Sequence, residues 1–290
     1  GIAKWLLRHL DDPNLLLWLA RHGGLLSDEL GWLIGHRLDD LVKMERDGKL
    51  EELARIKAKS PNAVPRPSML ILWRLLISGR VKTREHSFSL YRWRDRFICK
   101  DLTSTARLEL REALKPLILL REPFRWPPDI DEPSEDNGIK RIAECEVVLS
   151  SEHVHSTLGD LRLDPNWPTA LPELFSDFNS LLRDALDLMR EIGRADDRND
   201  HSYLQHPSII AHSQNRDFRD WTALIELTRD AWVAVAKKCP DRARLEAEIW
   251  SRATYPLFRR LAFYAAAQPE IIPWKTGLAW LLAEDYWWLW

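Results

Sequence analysis

Apolar residues recur at three- and four-residue steps along nearly the whole chain, the period of a helix that buries one face. After Ser27, the residues Leu30, Ile34, Leu38, Leu41 and Val42 line one side, with Asp39, Asp40 and Lys43 between them. Ser27 stands where an N-cap belongs. Trp221, Leu224, Ile225, Thr228, Trp232 and Val235 make the clearest amphipathic run. Asn215 or Asp217 is its candidate cap, and Cys239-Pro240 its end, because proline disfavours helix at the residue before it. The pattern repeats after Pro256 in Phe258, Leu261, Ala262 and Ala265. A further segment through Leu108, Arg111 and Leu114 starts near Thr103 or Ser104 and is interrupted at Pro116.

The fold expected is therefore all-α in the main, an irregular α-solenoid or helical-repeat array of helices joined by short turns. Eleven glycines in 290 residues, against a usual share of about 7%, fit that reading better than many hairpins. No strict tetratricopeptide or HEAT signature is present. One short strand is allowed near 143–151, where Cys145, Val147 and Leu149 alternate with mostly polar neighbours. Residues 122–138, "EPFRWPPDIDEPSEDNG", carry four prolines and no apolar period and read as a linker or long surface loop. They divide the chain into an N-terminal helical part, 1–121, and a C-terminal one, 139–290. "DPNWPTALP", residues 164–172, is a smaller break before the helix that follows.

Bulk properties exclude more than they assign. A formal charge of −2 gives no global attraction to nucleic acid or to an anionic membrane. Cys99, Cys145 and Cys239 are far apart and odd in number, which fits a reducing compartment. The longest apolar run, "PSMLILWRLLISG", is too short to span a membrane and carries Arg74, and no signal-peptide layout opens the chain. The sequence reads as cytoplasmic. It begins at Gly1 directly in a helical pattern and stops at "AEDYWWLW", so it reads as a segment of a longer polypeptide.

The phosphate loop, the dinucleotide fingerprint, H-E-x-x-H, C-x-x-C and G-x-S-x-G are all missing, and no cofactor or metal is expected. Three stretches still carry chemistry-bearing residues. "SEHVHS" sets His153 and His155 in an H-x-H spacing, which on a strand would point both imidazoles the same way. Residues 80–100 interleave basic and aromatic side chains, and Arg84, Arg92, Trp93 and Arg96 are the candidate polyanion contacts. Arg92 and Arg96 also fit a solvated helix face, with Glu85 and Asp95 diluting the charge. "HSYLQHPSIIAHSQN", residues 201–215, follows Asp196, Asp197 and Asp200. Its candidate polar pocket comprises Asp200, His201, His206, His212, Gln214 and Asn215. A carboxylate orienting an imidazole would serve proton transfer. Alternatively, His212, Gln214 and Asn215 saturate backbone groups where an irregular segment meets a helix start.

"HSYLQHPSIIAHSQN", "DWTALIELTRDAWVAV", "YPLFRRLAFYAA" and "RLELREALKPLILLREPF" together resemble the helical C-terminal regions of large bacterial antiphage-defence proteins of the sirtuin-like or STAND-NTPase type. The resemblance covers about residues 70–285. It implies that effector chemistry lies in another part of the polypeptide. This segment would then be a non-enzymatic scaffold or sensor whose partner is a phage protein or another domain of the same chain. Two alternatives stand beside it: a metal-binding or hydrolytic domain using 196–215, and a nucleic-acid module using 80–100.

Overall fold

A computed structural model describes residues 1–21, 26–83, 90–98, 102–123, 138–215 and 219–283. Mainly helical, it groups the chain into two compact units that interleave in sequence. The first is formed by Gly1–His86 and Leu117–Val147, the second by Ser87–Pro116 and Val148–Trp290. The expected linker 122–138 falls within the sequence range of the first unit, and its residues 124–137 lie outside the described residues.

In chain order the helices begin with α1 (Ile2–Leu6), α2 (Pro13–Arg21), α3 (Asp28–Arg46), α4 (Leu50–Lys59) and α5 (Pro67–Ile77). Next come α6 (Leu90–Ile98), α7 (Ser104–Ala113), strand β1 (Pro116–Arg121), α8 (Ile139–Ile142) and strand β2 (Glu144–Leu149). The remainder is α9 (Val154–Leu161), α10 (Trp167–Glu191), α11 (Ser202–Gln205), α12 (Ala223–Lys238), α13 (Pro240–Ser251), α14 (Pro256–Ala266) and α15 (Trp274–Leu281).

The first unit is organised around α5, whose apolar sequence buries Met69, Leu72, Trp73, Leu75 and Leu76 against α2, α3 and α8. A buried indole needs an acceptor, and Trp73 Nε1 donates to the Leu10 carbonyl at 2.7 Å. The next residue, Asp11, accepts from the Arg66 backbone N–H at 2.8 Å and from its guanidinium at 3.0 Å. One turn of backbone beside α2 is thus fixed at the start of α5. Ser27 caps α3, its hydroxyl accepting from Leu30 N–H at 3.4 Å.

β1 and β2 form a two-stranded sheet, and Val81 adds an isolated parallel bridge to Ile118. β2 lies where the alternation of Cys145, Val147 and Leu149 allowed a strand, with those three residues buried. β1 runs on from the helical segment expected to stop at Pro116. Its "PLILLR" is nearly continuous in apolar residues and mostly buried, so it carries no period-two signal. Proline is tolerated at its first position, where a missing N–H breaks no ladder within the strand.

In the second unit α10, α12, α13, α14 and α15 pack in succession. α10 runs from Trp167 straight through Pro172, where the sequence suggested a break. Pro168 stands near the start of the helix, where N–H groups have no helical partner, so only Pro172 removes a bond. The burial of Leu171, Leu174, Phe175 and Phe178 outweighs that loss.

The core of this unit is aromatic. Trp250 lies 5.8 Å from Phe175 and 6.1 Å from Trp232, and Trp167 lies 5.8 Å from Phe97. Each fully buried indole again has an acceptor: Trp93 the Ala106 carbonyl at 2.7 Å, Trp232 the Ala243 carbonyl at 2.9 Å, and Trp250 Asn179 Oδ1 at 2.8 Å. The rings therefore fix helix register as well as fill space. Trp250→Phe removes a hydrogen bond and leaves both a void and an unmet amide. It is expected to destabilise the protein by about 2–4 kcal/mol in urea unfolding; a loss below about 1 kcal/mol would mean that the indole bond contributes little.

Candidate functional site

The segment 196–215 has almost no regular structure beyond α11, so its backbone groups must find partners elsewhere. Many are side chains, and the first is Asp200, which is buried. Its Oδ1 accepts from the Ser202 backbone N–H at 3.0 Å and from the Ser202 hydroxyl at 2.6 Å. Its Oδ2 accepts from Leu257 N–H at 2.7 Å, so Asp200 caps the first turn of α14 from a distance of 57 residues along the chain. A carboxylate beside a helix N-terminus also opposes the positive end of the helix dipole.

Arg260, one turn further along α14, answers from the other side. One guanidinium nitrogen donates to Ser202 Oγ at 2.9 Å, and the other to the carbonyls of His206 and Pro207 at 2.7 and 2.8 Å. From α12, Arg229 donates to the Ile209 carbonyl at 2.7 Å, and just before that helix Trp221 Nε1 donates to Gln205 Oε1 at 2.7 Å. Inside the segment, the Asn215 amide accepts from Ser208 N–H at 3.0 Å and donates to the Ser208 carbonyl at 2.9 Å. The fold thus gathers Asp200, His206 and Asn215 of the candidate pocket.

His201 is half-buried, with its backbone in the left-handed region at φ 52° and its N–H bonded to Asn199 Oδ1 at 2.9 Å. His212 and Gln214 are exposed and bonded to each other, His212 Nδ1 accepting from Gln214 N–H at 3.2 Å. Asn215 caps no part of α12, which is preceded by a short 3₁₀ turn at Asp220–Thr222. Asp217 lies outside the described residues.

His206 is the one imidazole of the set that is fully buried. Its Nε2 lies 3.3 Å from the Asn215 amide nitrogen, and Nδ1 has no hydrogen-bond partner. Burial lowers its pKa to about 4; Glu226 works against that shift, and the charges of Arg260, Arg229 and His155 add to it. Glu226 is itself pushed up by burial. That push is outweighed by its bond to Arg162 and by the surrounding cations, so it stays ionised. Burial also pulls the Arg260 guanidinium down, with Asp200 opposing.

Chemically, this arrangement holds a chain in place. Both oxygens of Asp200 are occupied by donors, and the buried imidazole is closed to solvent. Among the described residues, no group of three or more His, Cys, Asp or Glu side chains is placed to hold a metal ion. The H-x-H pair is divided: His153 adopts φ 57° ahead of α9, while His155 Nε2 sits 3.0 Å from Thr222 Oγ1.

The basic–aromatic stretch is also largely committed. Trp93 is buried with its N–H bonded, which removes it as a stacking platform. Arg96 forms a two-point bond with Glu109 at 3.1 and 2.6 Å, and Arg94 pairs with Asp95 and Asp160. Arg92 is exposed, and Arg84 lies outside the described residues.

Arg260 and Arg229, the strongest anchors of the segment, were not singled out in the sequence. The available signal was Arg260 in "LFRRLAF", a cation set between large apolar residues on a helix that must bury one face. No protein-family model, curated protein or solved structure matches the chain.

The neutral imidazole gives a pH dependence with a definite sign. The folded state holds His206 uncharged, so stability is full above the ordinary value of 6.5 and is lost as pH falls through about 4. Urea unfolding is expected to show His206 contributing a loss of about 2 kcal/mol by pH 5. That loss should be absent from His206→Gln, and an identical pH dependence in both proteins would show that His206 titrates normally in the fold.

Proposed function

We propose that this chain is a helical recognition segment of a larger bacterial antiphage-defence protein, an irregular helical array that binds another protein and performs no reaction itself. The observation that carries this reading is where its side chains are spent. Asp196 and Asp200 of the polar segment, and the Arg229 and Arg260 side chains that reach it, are bonded to backbone, while several large apolar side chains face solvent.

The clearest case is α15, none of whose residues is buried. Trp274, Leu278 and Leu282 follow one another at four-residue steps and are 66%, 43% and 48% exposed. Four-residue steps put them on one side of the helix. α13 repeats the arrangement with Leu245 and Ile249. Tryptophan is among the residues from which protein interfaces draw most of their affinity. The array reading is supported by the succession of packed neighbours from α12 to α15, each helix meeting the next in sequence. The missing nucleotide and hydrolase motifs agree with an effector reaction carried by another part of such a polypeptide.

In the full-length protein, Trp274→Glu with Leu278→Glu is expected to abolish both co-purification with a phage protein during infection and protection of the host. Because both side chains are exposed, the melting temperature should be unchanged. Retained co-purification and protection in the double variant would contradict the reading.

A further inference from the structure

A second feature of this unit has a chemistry of its own. A groove of about 590 Å³ runs between the first turns of α10 and the C-terminal half of α12, with Tyr264 of α14 also lining it. Its walls are largely apolar, from Leu171 and Pro172 on α10 and from Val233 and Ala234 on α12. Lys237 and Lys238 stand at the last turn of α12 on its border, both exposed, and neither makes an ion pair among the described residues. Among the described residues the one acid lining the groove, Asp230, is already matched by Arg162 at 3.2 Å and by Arg229 at 2.6 Å. The groove therefore joins an apolar floor to an edge of two lysines that have no ion-pair partner among the described residues.

An apolar floor bordered by two ammonium groups suits a ligand that brings apolar side chains and carboxylates together. A peptide segment can carry both, and lysines on a rim steer and select acidic partners.

We propose that this groove docks a short acidic and apolar segment of a partner protein, its leucine-like side chains on the floor and its carboxylates at Lys237 and Lys238. The inference rests on the protein-recognition reading and adds the charge and character of what is recognised.

The test is fluorescence anisotropy of the purified full chain with a short fluorescein-labelled peptide of leucine and glutamate, and with its leucine–lysine counterpart. The acidic peptide should bind and the basic one should not. Lys237→Glu with Lys238→Glu should weaken binding by about tenfold or more. Ala234→Phe should do the same by filling the groove, and Val233→Arg serves if that variant fails to fold.

Absence of acidic-peptide binding would overturn the proposal. So would binding that falls with the lysine changes yet survives both groove-filling variants, since that is adsorption to a charged surface. Failure here with loss of the phage partner in the α15 variant would remove the groove and leave the recognition function. Retention of the partner in the α15 variant, with peptide binding intact, would overturn the α15 reading and leave the groove proposal standing.

Discussion

Between α10 and α12 the chain must cross a stretch in which few backbone N–H and carbonyl groups can pair with their own neighbours, and unmet polar groups in a buried setting are expensive. Asp200 and Arg260 meet that constraint from opposite directions. The carboxylate supplies acceptors to Ser202 and to the start of α14, and the guanidinium supplies donors to Ser202, His206 and Pro207. Neither bonds the other directly, but Ser202 Oγ links them. A loop rich in histidine and aspartate, a composition often found at catalytic centres, becomes a fixed connection between helices.

The same physical rule governs the aromatic core. A tryptophan contributes a large buried area and one polar atom that needs a partner. In this chain the partners are backbone carbonyls of Leu10, Ala106 and Ala243 and the side-chain oxygens of Asn179 and Gln205, so packing and register are set together. Tryptophans placed otherwise, Trp274 and Trp32 among them, remain at the surface. The buried indoles explain the fold, and exposed Trp274 is the one on which the proposed recognition rests.

Much of the architecture was legible from periodicity and capping chemistry. Ser27 and Thr103 cap the helices they were expected to cap, and Cys239-Pro240 ends α12. The alternation within 143–151 marked β2, whereas β1 was hidden because a mostly buried apolar strand has no period to read. Pro172 misled because a proline in the early turns of a helix removes only one bond, which apolar burial can outweigh. For the polar segment, composition located the cluster and Asn215 as a backbone partner. The anchors Arg260 and Arg229 come from helices far along the chain, and no local pattern links them to residues 200–210. The groove was invisible for the same reason, being formed by side chains some 60 residues apart whose meeting depends on how α10 and α12 pack.

Amide hydrogen exchange on Arg260→Met tests most directly the claim that residues 200–215 are a structural joint. Methionine keeps the apolar stem and removes every donor. Protection at His206, whose N–H bonds the Ser202 carbonyl at 2.7 Å, and at Ser208 should fall sharply, while the amides in the middle of α12 keep theirs. Unchanged protection of His206 and Ser208 in the variant would show that the segment holds its shape without the guanidinium, and would contradict the account.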